Sequence, residues 1–274
     1  MSNPGQERKI MVVDTIPKSI GFIYALVMIF VLAYLWHSGR WKQQIGWFIL
    51  VISTLLGFLI FSPVMPYQFQ QLVLLDEKGL GAPLVVGFIG VSVIFLLSFV
   101  FGRFFCGYLC PVGTLQEIAF HIPVQKSDIR QKIPFILVRA AFFVVFFLAA
   151  FIFSISLLDR FGIRDFFYLT LTTATIVFIF LLLMSVILYR PFCRIFCPFG
   201  VLLSLGAGRS FFCVQRSDAC IECKKCVRVC PTDEAKRDDR KEECYLCGRC
   251  LEVCPVAGAL RYTRRKRTIT NQGK

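Results

Sequence analysis

The sequence predicts a multi-span α-helical membrane domain of about five transmembrane helices, followed by a small cysteine-rich α+β domain. Three observations carry this. Hydrophobic residues make up 57% of the 274 residues and mean hydropathy is +0.69, where a soluble globular chain runs at about 45–50% apolar. The apolar excess is confined to residues 1–205. The cysteines fall in clusters at regular spacing, densest in the polar stretch 206–274.

Charge supports the same division. The net charge of +14 fits a membrane protein whose Lys and Arg gather in cytoplasmic loops and tails beside anionic headgroups. Nucleic-acid binding is excluded as an expectation, because the Phe residues lie inside apolar runs and not on a basic face. The 13 cysteines stand at metal-ligand spacings, which in a reducing compartment points to bound metal over disulfides.

In chain order, residues 1–18 read as an N-terminal tail and 19–205 as the transmembrane domain. Five apolar stretches approach the ~20 residues needed to cross a bilayer: Ser19–Trp36, Ile45–Phe61, Pro83–Phe101, Pro134–Leu158 and Phe166–Tyr189. The first has only Lys18 immediately before it and no small-residue cleavage site after it, so it reads as a retained anchor. Basic residues place loops 37–44 and 102–133 on the cytoplasmic side, with Arg40, Lys42, Arg103, Lys126, Arg130 and Lys132. The opposite loops, 62–82 and 159–165, carry Lys78, Arg160 and Arg164. The basic tail over 261–274, containing "RYTRRKR", decides the orientation. The expected location is the inner (cytoplasmic) membrane, multi-pass, with the C-terminal domain cytoplasmic. Charged residues are nearly absent from the span interiors, Arg139 near the start of the fourth excepted, which argues against an ion carrier.

Two segments repeat within the membrane domain. "RFFCGYLCPVGTL" from Arg103 and "RPFCRIFCPFGVL" from Arg190 align as R-x-F-C-x-x-x-C-P-x-G-x-L, 87 residues apart. Such a repeat suggests two related helix pairs. Proline after the second cysteine disfavours helix there, so each pair belongs at the end of a span. If the helix continued, Cys106 and Cys110, like Cys193 and Cys197, would share one face. Three roles stand open: a joint metal or cluster site, redox-active dithiols, or reception of a partner's redox group. The bland alternative is that they are small residues at crowded helix ends. Arg103 and Arg190 are expected at headgroups or beside the thiols, and Gly113 and Gly200 at turns.

Residues 206–260 hold the strongest pattern. "CIECKKCVRVCP" and "CYLCGRCLEVCP" both read C-x2-C-x2-C-x3-C-P, with 13 residues between Cys230 and Cys244. This is the spacing of bacterial two-cluster ferredoxins, in which the fourth cysteine of each run ligates the other cluster. The expected ligand sets are Cys220, Cys223, Cys226 and Cys254 for one 4Fe-4S cluster, and Cys244, Cys247, Cys250 and Cys230 for the second. Structural zinc fits less well, since its ligands come as separated pairs. Cys213 reads as a small buried apolar residue.

Paired Cys-x-x-x-Cys-Pro motifs at span ends, followed by a two-cluster ferredoxin module, resemble the NapH-type membrane ferredoxins, related to NosR-, MauN- and CcoG-like proteins. The resemblance covers about Pro83–Leu260. It implies membrane-bound electron transfer between the quinone pool and redox partner subunits, as a quinol dehydrogenase subunit of a respiratory chain, with quinol or quinone as substrate. Flow in reverse from a soluble donor, or an accessory role reducing a metal or cofactor during maturation of another enzyme, are the alternatives. The chain departs from the family's four-span core by the extra first span. No intrinsic haem is expected, because the only histidines, His37 and His121, fall in loops. His121 and Glu117 are weak candidates for a quinol proton, and Tyr67, Gln68, Gln70 and Gln71 for an interfacial helix or quinol pocket.

Overall fold

The computed structural model describes residues 4–62, 64–126 and 132–265. The membrane domain begins with helices α1 (Pro4–His37), α2 (Gln43–Ile60), α3 (Met65–Val73), α4 (Glu77–Leu80) and α5 (Leu84–Phe101). A π-helical turn at Phe105–Leu109 leads into α6 (Pro111–Phe120). Helix α7 (Lys132–Phe153), a 3-10 turn, α8 (Ile163–Phe167) and α9 (Thr173–Ile187) follow. A second π-helical turn at Phe192–Phe196 leads into α10 (Pro198–Gly208).

Among the described residues, four helices are long and apolar enough to cross a bilayer: Ser19–His37, Gln43–Ile60, Leu84–Phe101 and Pro134–Phe153. Their outer faces expose Phe48, Leu59, Val85 and Phe151, the surface expected of helices solvated by lipid. The fifth expected span, Phe166–Tyr189, is corrected. Leu169 adopts φ +56°, and a capping box between Thr172 and Thr175 starts α9 only at Thr173. The 15-residue helix reaches about 22 Å, short of a ~30 Å hydrocarbon core. Helix α1 begins at Pro4, ahead of the apolar stretch.

The two repeats form re-entrant hairpins, a departure from the expected cytoplasmic loop ends. Helix α2 starts beside the C-terminal domain, where Trp41 and Gln43 approach Gly248. Helix α6 runs antiparallel to it. Pro111 lies against Gly57, Thr114 is 2.8 Å from Thr54, and His121 meets the Trp47 ring. Gly57 lies 14 residues into α2 from Gln43, so the Cys110–Pro111 tip lies about 20 Å along α2 from its C-terminal-domain end at 1.5 Å per residue. Helix α10 packs along α5, both running toward the C-terminal domain. Gly206 abuts Ser98, which puts Pro198 about 12 Å deeper. Each proline occupies the first helical turn, where its missing N–H costs nothing.

The expected interfacial helix is also corrected. Tyr67, Gln70 and Gln71 on α3 are buried, and Phe69 packs on Phe146 and Phe199. Gln70 Oε1 accepts the Leu158 N–H at 2.5 Å, because backbone buried in lipid must find its partners within the protein.

The C-terminal domain consists of β1 (Phe212–Arg216), α11 (Lys225–Val229), α12 (Arg249–Glu252) and β2 (Leu260–Arg264). The strands pair antiparallel, Phe212 opposite Arg264 and Arg216 opposite Leu260. Cys213 is buried in β1. The domain is fastened to the helices by backbone and aromatic contacts. Phe211 N–H donates to Phe99 O at 2.7 Å, Tyr262 Oη donates to Phe101 O at 2.8 Å, and Tyr262 meets Trp36 and Phe104. Of the basic tail, Arg261, Arg264 and Arg265 lie on or beside β2. The remainder, 266–274, and the loop residue Arg130 lie outside the described residues.

Candidate functional site

The two cysteine triads share one backbone device. Glu222 and Lys224 adopt φ +53° and +58°, and Leu246 and Gly248, at the matching positions, adopt +55° and +85°. Three of these four are not glycine. Left-handed backbone costs such residues roughly 1–2 kcal/mol, and it persists where the surroundings require it. Here it folds each C-x2-C-x2-C run into a concave nest of N–H groups suited to an anion. Gly248 alone needs to be glycine for space as well: a Cβ there would stand 2.9 Å from Trp41 Nε1. The equivalent Lys224 is exposed.

Cys220, Cys223, Cys226 and Cys254 line one cavity. Cys230, Cys244, Cys247 and Cys250 line a separate one. Short helices α11 and α12 contain the third cysteine of each triad, Cys226 and Cys250, and end just before Cys230 and Cys254, each of which lines the opposite group's cavity. Sulfurs of both groups are hydrogen-bonded: Cys226 Sγ accepts from Arg216 Nη2 at 3.4 Å, and Cys230 Sγ from Glu234 N–H at 3.3 Å. Among the described residues, no three His, Cys, Asp or Glu side chains are grouped to hold a single ion. A tetrahedral zinc with 2.3 Å bonds needs sulfurs about 3.8 Å apart, and a cubane spreads its four thiolates wider. All-thiol quartets in hydrogen-bond-rich nests fit 4Fe-4S clusters.

The second triad docks directly on the first re-entrant turn. A Cβ on Gly107 would collide with the Tyr245 carbonyl, so the backbone beside Cys244 touches the backbone beside Cys106. The Arg103 and Arg190 guanidinium groups lie 4.2 and 4.8 Å from the centre of the Tyr245 ring. Both arginines are fully buried, which overturns the headgroup expectation. Arg190 donates to the Cys106 carbonyl and, at 2.8 Å, to Gly107 O. Arg103 donates to Glu242 O at 3.2 Å.

Two carboxylates knit this interface. Glu117, 3% exposed, accepts from Arg190 Nε at 2.8 Å and from Arg249 Nη2 at 2.5 Å. Burial alone would raise its pKa, but Arg190 and Arg249 outweigh it and hold the carboxyl at about 2. A carboxylate so held is no proton acceptor for a quinol, and His121, hydrogen-bonded to Glu117 O, belongs to the same clamp. Glu243, beside Cys244, pairs with Arg139, with Arg194 at 3.1 Å and with Arg103 at 3.9 Å. Arg194, Arg249 and Glu243 escaped the sequence reading. Their signal was present as charges placed inside or next to cysteine motifs.

The four repeat cysteines are all buried, at 4–7% exposure, and come together. Cys110 lies within electrostatic reach of Cys106 and Cys193, and Cys197 of all three others. A π-turn separates each pair, so they do not share a helix face as the simple spacing argument expected. On the other side of the membrane domain, Ser19, Phe22, Met65, Gln68, Leu80 and Val86 line an apolar groove.

Helical spans and these cysteine quartets define the class: a membrane chain with a C-terminal 4Fe-4S ferredoxin-like region. A family described as "4Fe-4S binding domain" matches residues 83–130 and 170–211, and one described as "4Fe-4S dicluster domain" matches 212–255. The first match contains Cys106, Cys110, Cys193 and Cys197 and none of the other nine cysteines. Among curated proteins, the chain is similar to "Uncharacterized protein MJ0750" of Methanocaldococcus jannaschii, 29% identical over 51% of this chain and 63% of that one. It is similar also to "Uncharacterized protein MJ0749" of the same organism, 29% identical over 50% and 54%. A third relative is "Putative electron transport protein YccM" of Escherichia coli K12, 29% identical over 50% of this chain and 43% of that one. The match thus spans roughly half the length of these relatives. No solved structure matches the chain significantly.

Proposed function

We propose that this protein carries electrons between the quinone pool and redox partner subunits, as NapH-type membrane ferredoxins do. The resemblance favours quinol oxidation in a respiratory chain. Cys220, Cys223, Cys226 and Cys254 would hold one 4Fe-4S cluster, and Cys244, Cys247, Cys250 and Cys230 the other. Bound clusters supply one-electron carriers whose potentials depend on hydrogen bonds and burial. The single observation behind the reading is the contact between Gly107 and Tyr245, because it joins a cluster-binding triad to a loop that dips into the bilayer.

The residues divide the work. Gly107 permits the close approach, Glu117 and Glu243 clamp the two domains through five arginines, and Arg216 and Glu234 hydrogen-bond the ligand sulfurs. The groove beside Gln68 offers an apolar slot open to lipid, the surroundings a quinone ring and its isoprenoid tail require. Oxidation of a quinol would release two electrons and two protons, and bound clusters, as one-electron carriers, would take the electrons one at a time. The basic residues on the C-terminal domain side, Arg40 and Lys42 among them, favour a cytoplasmic location for that domain.

Anaerobic EPR of the purified protein, before and after a menaquinol analogue, tests the reading. Cluster signals appearing with quinol support it. Two clusters that dithionite reduces and quinol leaves oxidised would overturn quinol oxidation.

A further inference from the structure

We propose that Cys106, Cys110, Cys193 and Cys197 hold a third iron–sulfur centre, enclosed by the two re-entrant hairpins within the membrane domain. Its use as a relay rests on the electron-transfer reading above; its existence does not.

The four thiols come from two copies of one motif that interlock: Gln116 of the first accepts from the Phe192 N–H of the second at 3.0 Å, and Arg190 of the second donates to the Cys106 carbonyl of the first. Each repeat contributes a cysteine in a π-turn and a cysteine capping a half-helix, α6 of 10 residues and α10 of 11. Hydrogen bonds reach the sulfurs from the protein: Gly200 N–H donates to Cys197 Sγ at 3.2 Å, and Gln116 Nε2 to Cys193 Sγ at 3.3 Å. Bonds of this kind set the potential of a metal-bound thiolate.

Charge gives an independent reason. Arg103 has no exposed surface, and its Nε and Nη2 have no hydrogen-bond partner among the described residues. The guanidinium lies beside Cys106, with Nη2 3.4 Å from where a Cβ on Gly200 would stand, next to Cys197. Glu243 stands 3.9 Å from Arg103 Nη1, which leaves Nε and Nη2 as buried donors that are costly unless an acceptor faces them. Four thiolates on iron and sulfide carry net negative charge and offer sulfur acceptors. Arg190 occupies the reciprocal place, 3.2 Å from the Cβ position of Gly113 and bound to the Cys106 carbonyl. The two arginines cross between repeats, each reaching into the other's hairpin, so the site forms only when both hairpins are present. The family match described as "4Fe-4S binding domain" covers these four cysteines alone.

Neutral dithiols or disulfides would leave Arg103 facing uncharged sulfur. As a relay the centre would take one electron from a quinol-class donor and pass it on toward Cys244, iron cycling between ferric and ferrous with no bond made or broken. Its Cys110 and Cys197 reach toward the bilayer interior, and its Cys106 adjoins Gly107 under the second triad.

The test is an iron and acid-labile sulfide count on the full chain, purified anaerobically in detergent, with Mössbauer spectra and no quinol added. About 12 iron atoms per chain are expected against about 8 for the ferredoxin domain alone. A count of about 10 supports the same site with a binuclear centre. Cys110→Ser combined with Cys197→Ser should return the count to about 8 while the dithionite-reduced ferredoxin signals stay at full amplitude. A wild-type count of about 8, with Cys106, Cys110, Cys193 and Cys197 recovered as free thiols or disulfides, overturns the proposal. That failure leaves the quinol experiment standing, and a negative quinol experiment leaves the iron count unaffected.

Discussion

Replacing Glu117 by alanine is the sharpest test of how the two domains are held together. The side chain is 3% exposed. Its carboxylate serves Arg190 through Nε and Nη2, both at 2.8 Å, and Arg249 through Nη2 at 2.5 Å. Removal leaves Arg190 with only the Cys106 and Gly107 carbonyls and Arg249 with no carboxylate. Breaking a buried ion pair from one side costs about 3–5 kcal/mol, because the remaining charge stays desolvated. For a chain of this size, 1 kcal/mol moves the midpoint by about 2–4 °C, so a fall of about 6–20 °C is expected. Thermal unfolding in detergent, followed by bleaching of cluster absorbance, reads it. Glu117→Ala and Arg249→Ala should also be strongly non-additive, since each removes the same contact. A drop below about 2 °C, or simple additivity, would refute the clamp. The pH dependence has a definite sign. Glu117 titrates in the folded protein at about 2, below its ordinary 4.5. Its stabilisation is therefore complete above pH 4.5 and is lost as pH falls toward about 2. The gap between wild type and Glu117→Gln should close over that interval.

Further outcomes follow from the same contacts. Gly107→Val drives a side chain into the Tyr245 carbonyl and should diminish the EPR signal of one cluster, leaving the other. Gly248→Ala combines φ +85° with a 2.9 Å contact to Trp41 and should cost about 1–2 kcal/mol or more in thermal unfolding; Lys224→Gly, at the matching position of the first triad, should cost nothing. If ligation is crossed, Cys230→Ser abolishes the same EPR signal as Cys247→Ser, and Cys254→Ser the same signal as Cys223→Ser. Val86→Trp fills the groove beside Gln68 and should raise the KM for a quinol analogue, with dithionite reduction unchanged.

The eight-cysteine pattern was legible because cluster ligation is local: three thiolates per corner set require fixed short spacings, and Pro231 and Pro255 mark where the fourth leaves the turn. Four of the spans were legible too, since apolar length alone qualifies a helix for the bilayer. The fifth failed at Leu169 and Thr172, where a left-handed residue and a capping box interrupt an otherwise apolar run. Hydropathy does not register backbone geometry. Arg103 and Arg190 were misread for a related reason: an arginine at a span end has the same composition whether it snorkels to headgroups or turns inward.

The sequence by itself determined that the chain carries lipid-spanning helices, a repeated Cys-x-x-x-Cys-Pro motif and two ferredoxin-type triads, because each is written in residues near one another along the chain. Only the tertiary structure decided that the repeats fold back along α2 and α5, that Arg103 and Arg190 cross between them, and that Glu117 and Glu243 bind the domains together. Those pairings join residues 49 to 140 positions apart. They depend on which helices lie side by side, and no local spacing encodes that.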